Sequence, residues 1–159
     1  ITIARCIEHG YDEKICELFR QMQEEGITPS EGTFLVMFQA CCIIAEEKNE
    51  SLIALEIGHA FHADAQRKGF DSYLFIGSIL ISMYSKCGCL REAENAFCKL
   101  ASPNIVAWNL LLSAYVDSKE AKKALQVLKL MQEQCATSSM LCIRREPKRY
   151  GRTEFILYH

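Results

Sequence analysis

Hydrophobic residues along this chain fall into seven helix-length blocks, and the blocks alternate between two kinds. In the first kind nearly every position is apolar, as in Thr33–Ala45 and Phe75–Lys86. A helix of that make-up is packed between neighbours on most of its circumference. In the second kind apolar residues recur every three or four positions: Ile15, Leu18, Phe19 and Met22 form one such stripe, and Ala93, Ala96, Phe97 and Leu100 another. Arg91, Glu92, Glu94 and Lys99 then fall on the face expected to meet water. The pattern predicts helices over 12–25, 33–45, 52–68, 75–86, 90–100, 105–116 and 121–134. Gly26, Pro29, Gly69, Gly88 and Pro103 punctuate them, and residues 46–51 read as a polar connection. No block alternates with period two, so the fold class expected is all-α.

The blocks also repeat. Ser78–Tyr84 (SILISMY) and Asn109–Tyr115 (NLLLSAY) match at an offset of 31 residues, and the register continues through Ala93 with Ala124 and Leu100 with Met131. A third copy sits near the start, where Phe19–Ser30 aligns with Leu128–Ser139. Periods in the thirties, each holding two helix-sized segments, signal a solenoid of stacked helix-turn-helix units. Ala93 and Ala124 are small enough to let the two helices of a unit approach closely. Such arrays present long surfaces for recognition and seldom build a catalytic pocket.

Composition narrows the reading. Half of the 159 residues are hydrophobic, which suffices for a continuous core. No run approaches the roughly 18 apolar residues of a membrane span. The opening ITIARCIEH has no initiator Met, signal-peptide pattern or transit-type region, and reads as a start in mid-repeat. Nine cysteines, several on apolar helix positions (Cys6, Cys16, Cys41, Cys98), read as buried thiols rather than a disulfide framework. Cys87 and Cys89 flank a turn glycine without a second pair, and His59 and His62 lack the carboxylate or cysteine partners of a zinc site. No metal and no cofactor is expected. Net charge is −2, but residues 1–139 carry 13 Lys and Arg against 18 Asp and Glu, while residues 140–159 carry five against two. Charge alone therefore predicts weak attraction to a phosphate backbone.

Residues 75–115 hold more specific strings: MYSKCG at Met83–Gly88, the AxxAF register at Ala93–Phe97, and VAWN at Val106–Asn109. Together with TFLVMFQAC (Thr33–Cys41) and the GxxxH element at Gly58 and His62, they closely resemble the plant pentatricopeptide repeat (PPR) proteins of the mixed-length PLS class. The resemblance covers residues 1–139 and implies a right-handed α-solenoid. On its register the chain divides into a truncated repeat (1–30), a long-type repeat with a loop insertion placed at Ile43–Ser51 (31–73), a short-type repeat (74–104) and a standard repeat (105–139). Residues 140–159 form a basic tail, expected to be irregular and disordered.

The resemblance further implies sequence-specific binding of single-stranded RNA, one base per repeat, in target selection for RNA processing or editing in a mitochondrion or chloroplast. Two side chains per repeat read a base edge, and apolar side chains of adjacent repeats sandwich its face. Carried onto this chain, Ser78 pairs with Asn104, a combination favouring adenine, and Asn109 pairs with Ser139, which leans to cytosine. Phe75 and Val106 take the base-sandwiching places. Leu35 and Tyr73 do not fit the code and are expected to support geometry; the truncated repeat keeps only Ser30. Without the resemblance, Ser78 reads as a helix-start residue, Asn104 as a turn former and Asn109 as a surface polar group.

No catalytic constellation is recognisable, so no enzymatic activity and no small-molecule substrate are expected. The His-x-Glu and Pro-Cys-x-x-Cys signature of a zinc deaminase is absent from the sequence. Besides RNA, protein partners of an RNA-processing complex are expected. Two alternatives stand beside this reading: a solenoid that binds a peptide or helix in its groove, and a degenerate fragment without function.

Overall fold

Seven helices and no strand form among the described residues, 12–47 and 51–141, of this computed structural model. They are α1 (Asp12–Glu24), α2 (Glu31–Glu47), α3 (Ser51–Arg67), α4 (Leu74–Lys86), α5 (Leu90–Cys98), α6 (Ile105–Asp117) and α7 (Ala121–Leu141). Helices α2, α4 and α6 are the uniformly apolar blocks, and each pairs with the amphipathic helix that follows it. The turns inside the last two pairs, 87–89 and 118–120, hold three residues each. Turns that short force antiparallel pairing, so the first helices all run the same way.

The first helices also stack on one another, α2 on α4 and α4 on α6, and this row is the core. Ile76, Leu80, Ile81 and Met83 of α4 are fully buried, as are Phe34, Met37 and Phe38 of α2. The second helices form an outer layer whose backbones stay apart, bridged by side chains such as Phe19 and Phe61, whose rings meet edge-on at 4.7 Å. Two buried faces on the inner row and one on the outer account for the alternation of the sequence. The result is an α-solenoid. No helix among the described residues is long and apolar enough to cross a membrane.

One turn geometry recurs with different residues. Gly88 has φ +74°, its N–H donates to the Ser85 carbonyl, and the Cys89 N–H donates to the Tyr84 carbonyl at 2.8 Å. In the next pair Lys119 holds the same place at φ +60°, donating to the Val116 carbonyl while the Glu120 N–H reaches Tyr115 at 2.8 Å. Glycine enters the left-handed region freely, whereas the lysine Cβ is crowded there. Of the loop expected at Ile43–Ser51, the first five residues are helical instead. Residues 43–47 are the last turn of α2, where Ile44 and Ala45 are buried and Lys86 of α4 pairs with Glu46 at 3.0 Å. Ser51 opens α3, and residues 48–50 lie outside the described residues. Likewise α7 runs to Leu141 rather than Gln134, and Cys98 is exposed, not buried. Cys6, the opening of the truncated repeat and the basic tail from residue 142 lie outside the described residues.

Candidate nucleic-acid interface

Each first helix begins with the same three places: the capping residue before it, then its second and fifth residues. In α4 these are Tyr73, Phe75 and Ser78; in α6 they are Asn104, Val106 and Asn109; in α2 they are Ser30, Gly32 and Leu35. Because the first helices run the same way, the three sets share one edge of the stack. Asn104 caps α6, its Oδ1 accepting from the Ala107 N–H at 3.0 Å. Its Nδ2 makes no hydrogen bond within the described residues and the side chain is exposed. The capping role is the turn-former reading of Asn104, and it leaves the amide donors available.

Phe75 is 69% exposed and Val106 51%, so neither packs into the core. Ser78 is half-buried and Asn109 exposed. Part of that difference comes from position in the stack. Ser78 belongs to α4, which has α6 packed on it, whereas α6 has no neighbour on its outer side among the described residues. Ile81 is fully buried and its counterpart Leu112 only half so. Ser139 falls inside α7, unlike Asn104, which stands between helices. Leu35 packs partly buried against the core, and Tyr73 sets its ring edge-on to Phe70 at 5.4 Å. Ser30 caps α2, its hydroxyl 3.4 Å from the Thr33 N–H.

Behind this edge lies a polar seam that periodicity alone does not reveal. The Tyr84 hydroxyl of α4 meets His62 Nδ1 of α3 at 2.7 Å, with His59 Nδ1 at 3.4 Å, and Gln66 binds the far nitrogen of His62 at 3.1 Å. In the next layer the Tyr115 hydroxyl of α6 donates to Glu94 Oε1 of α5 at 2.6 Å, and Lys123 stands 3.8 Å from the same oxygen. Burial pushes both phenols up and holds the His62 imidazole down to about 4. His62 is therefore neutral near pH 7, and the two histidines converge on a hydroxyl.

Glu94, expected to face water, is half-buried as an acceptor; an amphipathic stripe counts apolar residues and misses a carboxylate that a buried tyrosine needs. The GxxxH element gains a physical reason from the same contact. A Cβ at Gly58 would lie 2.5 Å from the Met83 sulfur, so Gly58 admits Met83 while His62, one turn on, takes the adjacent Tyr84. Two cations at the ends of second helices are paired with acidic residues, Lys99 with Asp71 at 3.1 Å and Arg67 with Asp64.

Antiparallel helix pairs stacked by their first helices, with short side chains exposed where those helices begin, define an α-helical repeat protein. The sequence profile described as PPR repeat matches residues 3–27, 78–102 and 106–135, and the chain belongs to the pentatricopeptide repeat family. Among its relatives in Arabidopsis thaliana, pentatricopeptide repeat-containing protein At5g27110 is 32% identical over 82% of this chain and 18% of its own length. The mitochondrial At1g56690 is 30% identical over 74% of this chain and 16% of its own. The chloroplastic At1g11290 is 30% identical over 81% and 15%. The chain spans less than a fifth of each of these relatives.

Proposed function

We propose that this chain is a segment of an array that binds single-stranded RNA with base preference, selecting a target for organellar RNA processing or editing and leaving any chemistry to other domains or partners. One observation carries the proposal: Asn104 keeps its amide donors unused where α6 begins, and Phe75 and Val106, second residues of adjacent first helices, are both left exposed. A large ring left in water at that place is suited to lie against a base face. The Asn104 Nδ2 offers a donor for adenine N1, and the second lone pair of its Oδ1 accepts from N6. The Ser78 hydroxyl supplies the second edge contact, so the short repeat takes adenine. Asn109 with Ser139 takes a cytosine in the following repeat. The long repeat, with Leu35 and Tyr73, spaces its neighbours. Names of relatives that include a mitochondrial and a chloroplastic protein support an organellar location.

Two bases at about 1–3 kcal/mol of stacking each make a weak complex. Amide chemical-shift titration suits that range. Trinucleotides of the four bases are titrated into the labelled chain and its Asn104→Asp variant. Asp caps a helix as well as Asn, so the fold is retained while the donors are lost. The expected result is strongest binding to adenine in the parent and to guanine in the variant, whose carboxylate accepts from N1–H and N2–H. An unchanged base order in the variant contradicts the proposal. The surplus of acidic residues over 1–139 favours one other reading, a groove for a basic peptide, which would give no base order at all.

A further inference from the structure

Two layers of the stack are joined to the one before at a shared place, the eleventh residue of the first helix. That residue is Tyr84 in α4 and Tyr115 in α6, and both hydroxyls are satisfied by the preceding second helix, through His62 and Glu94. In α2 the eleventh residue is Cys41, which brings no hydroxyl. Where the first helix brings a tyrosine hydroxyl to this place, the preceding second helix brings it a partner.

The outer face of α6 and α7 carries the next half of this pattern. Leu125 stands at an offset of 31 from Glu94 and is 68% exposed. Leu128 matches Phe97; the one is 38% exposed, while the other is 3% exposed and sets its ring edge-on to Trp108 of α6 at 4.6 Å. Val116 is 60% exposed, and Leu112 matches the buried Ile81. Leu112 and Leu128 thus repeat positions that are buried in the layer before, while Leu125 and Val116 stand where that layer has Glu94 and Ser85. Of the flanking polar groups Lys122 has no acceptor atom, and Gln126 matches Asn95, which remains exposed on α5.

We propose that this face receives one further helix pair of the same architecture, and that Leu125 restricts it to a pair whose first helix carries an apolar side chain, not tyrosine, at its eleventh position. A tyrosine there would press its hydroxyl against Leu125 with no partner, the costly case for a buried polar group. Leu125 is thus a specificity residue for the order in which layers stack.

The test fuses a second copy of residues 105–141 to the end of the full chain, with and without Tyr115→Phe in the added copy. The Phe-bearing fusion is expected to melt about 2–4 °C above the Tyr-bearing one. Leu125→Glu in the parent layer restores an acceptor and should reverse the order. Equal melting temperatures in both backgrounds overturn the proposal, as does an added pair that melts independently of Leu125 in every fusion. A concentration-dependent dimer that Leu125→Glu abolishes and the added pair leaves intact also overturns it, assigning the face to a second copy.

Discussion

Replacing both ends of the Tyr115–Glu94 contact measures how strongly one layer is locked to the next. Tyr115 is 2% exposed and its hydroxyl lies 2.6 Å from Glu94 Oε1, with the Lys123 ammonium 3.8 Å from that oxygen. Tyr115→Phe removes a hydrogen bond to an ionised acceptor, which is worth about 1.5–3 kcal/mol. The half-buried Glu94 keeps Lys123 as a partner, which places the expected loss near the lower end. Glu94→Leu leaves the phenol buried without an acceptor and costs about 1–3 kcal/mol by the penalty for an unsatisfied group. The double variant joins two apolar surfaces and recreates the chemistry of Leu125 with an apolar partner. Its loss should fall short of the summed single losses by about 1–2 kcal/mol, within the roughly 0.5–3 kcal/mol found for residues in direct contact. Urea unfolding followed by far-UV circular dichroism reads all four proteins. Additivity within about 0.5 kcal/mol would refute the claim that the hydroxyl and the carboxylate depend on each other.

Three further outcomes follow from the same structure. Lys119→Gly should stabilise the chain by about 0.5–1 kcal/mol in the same urea experiment, because φ +60° crowds a Cβ; a loss of stability would refute it. Ala93→Leu should cost about 1–3 kcal/mol, since Ala93 is fully buried where α5 meets α4, and an unchanged midpoint would argue against that close approach. His62 is held down to about 4 by burial, against about 6.5 when unfolded. Between those values the unfolded chain binds more protons, so stability should be level above neutral pH and fall as pH drops from about 6.5 toward 4. His62→Gln should flatten that slope in a pH series of thermal melts.

The helices were legible because burial and periodicity report on the same thing. Gly26, Gly69 and Gly88 sit at left-handed turn positions, and the sequence marks those ends plainly. The end of α6 carries Lys119 in the same conformation, which no residue type announces. The start of the loop expected at Ile43–Ser51 was misplaced for a related reason: a polar run after an apolar helix reads as a connection, yet Glu46 serves as the partner of Lys86 and the helix continues to Glu47. Exposure of Phe75 and Val106 could not be read from sequence, since an apolar residue early in an apolar helix is usually core. The Tyr84 and Tyr115 repeat was visible, but their acceptors differ in type, a histidine and a glutamate, so no periodicity connects them.

The most direct measurement is a search for intermolecular nuclear Overhauser effects between the labelled chain and a short oligoadenylate. The account predicts contacts from the Asn104 side-chain amide to adenine H2, and from the Phe75 ring to the base or ribose protons of that nucleotide. Contacts confined to the outer helices, around Arg91 or Lys122, would contradict it.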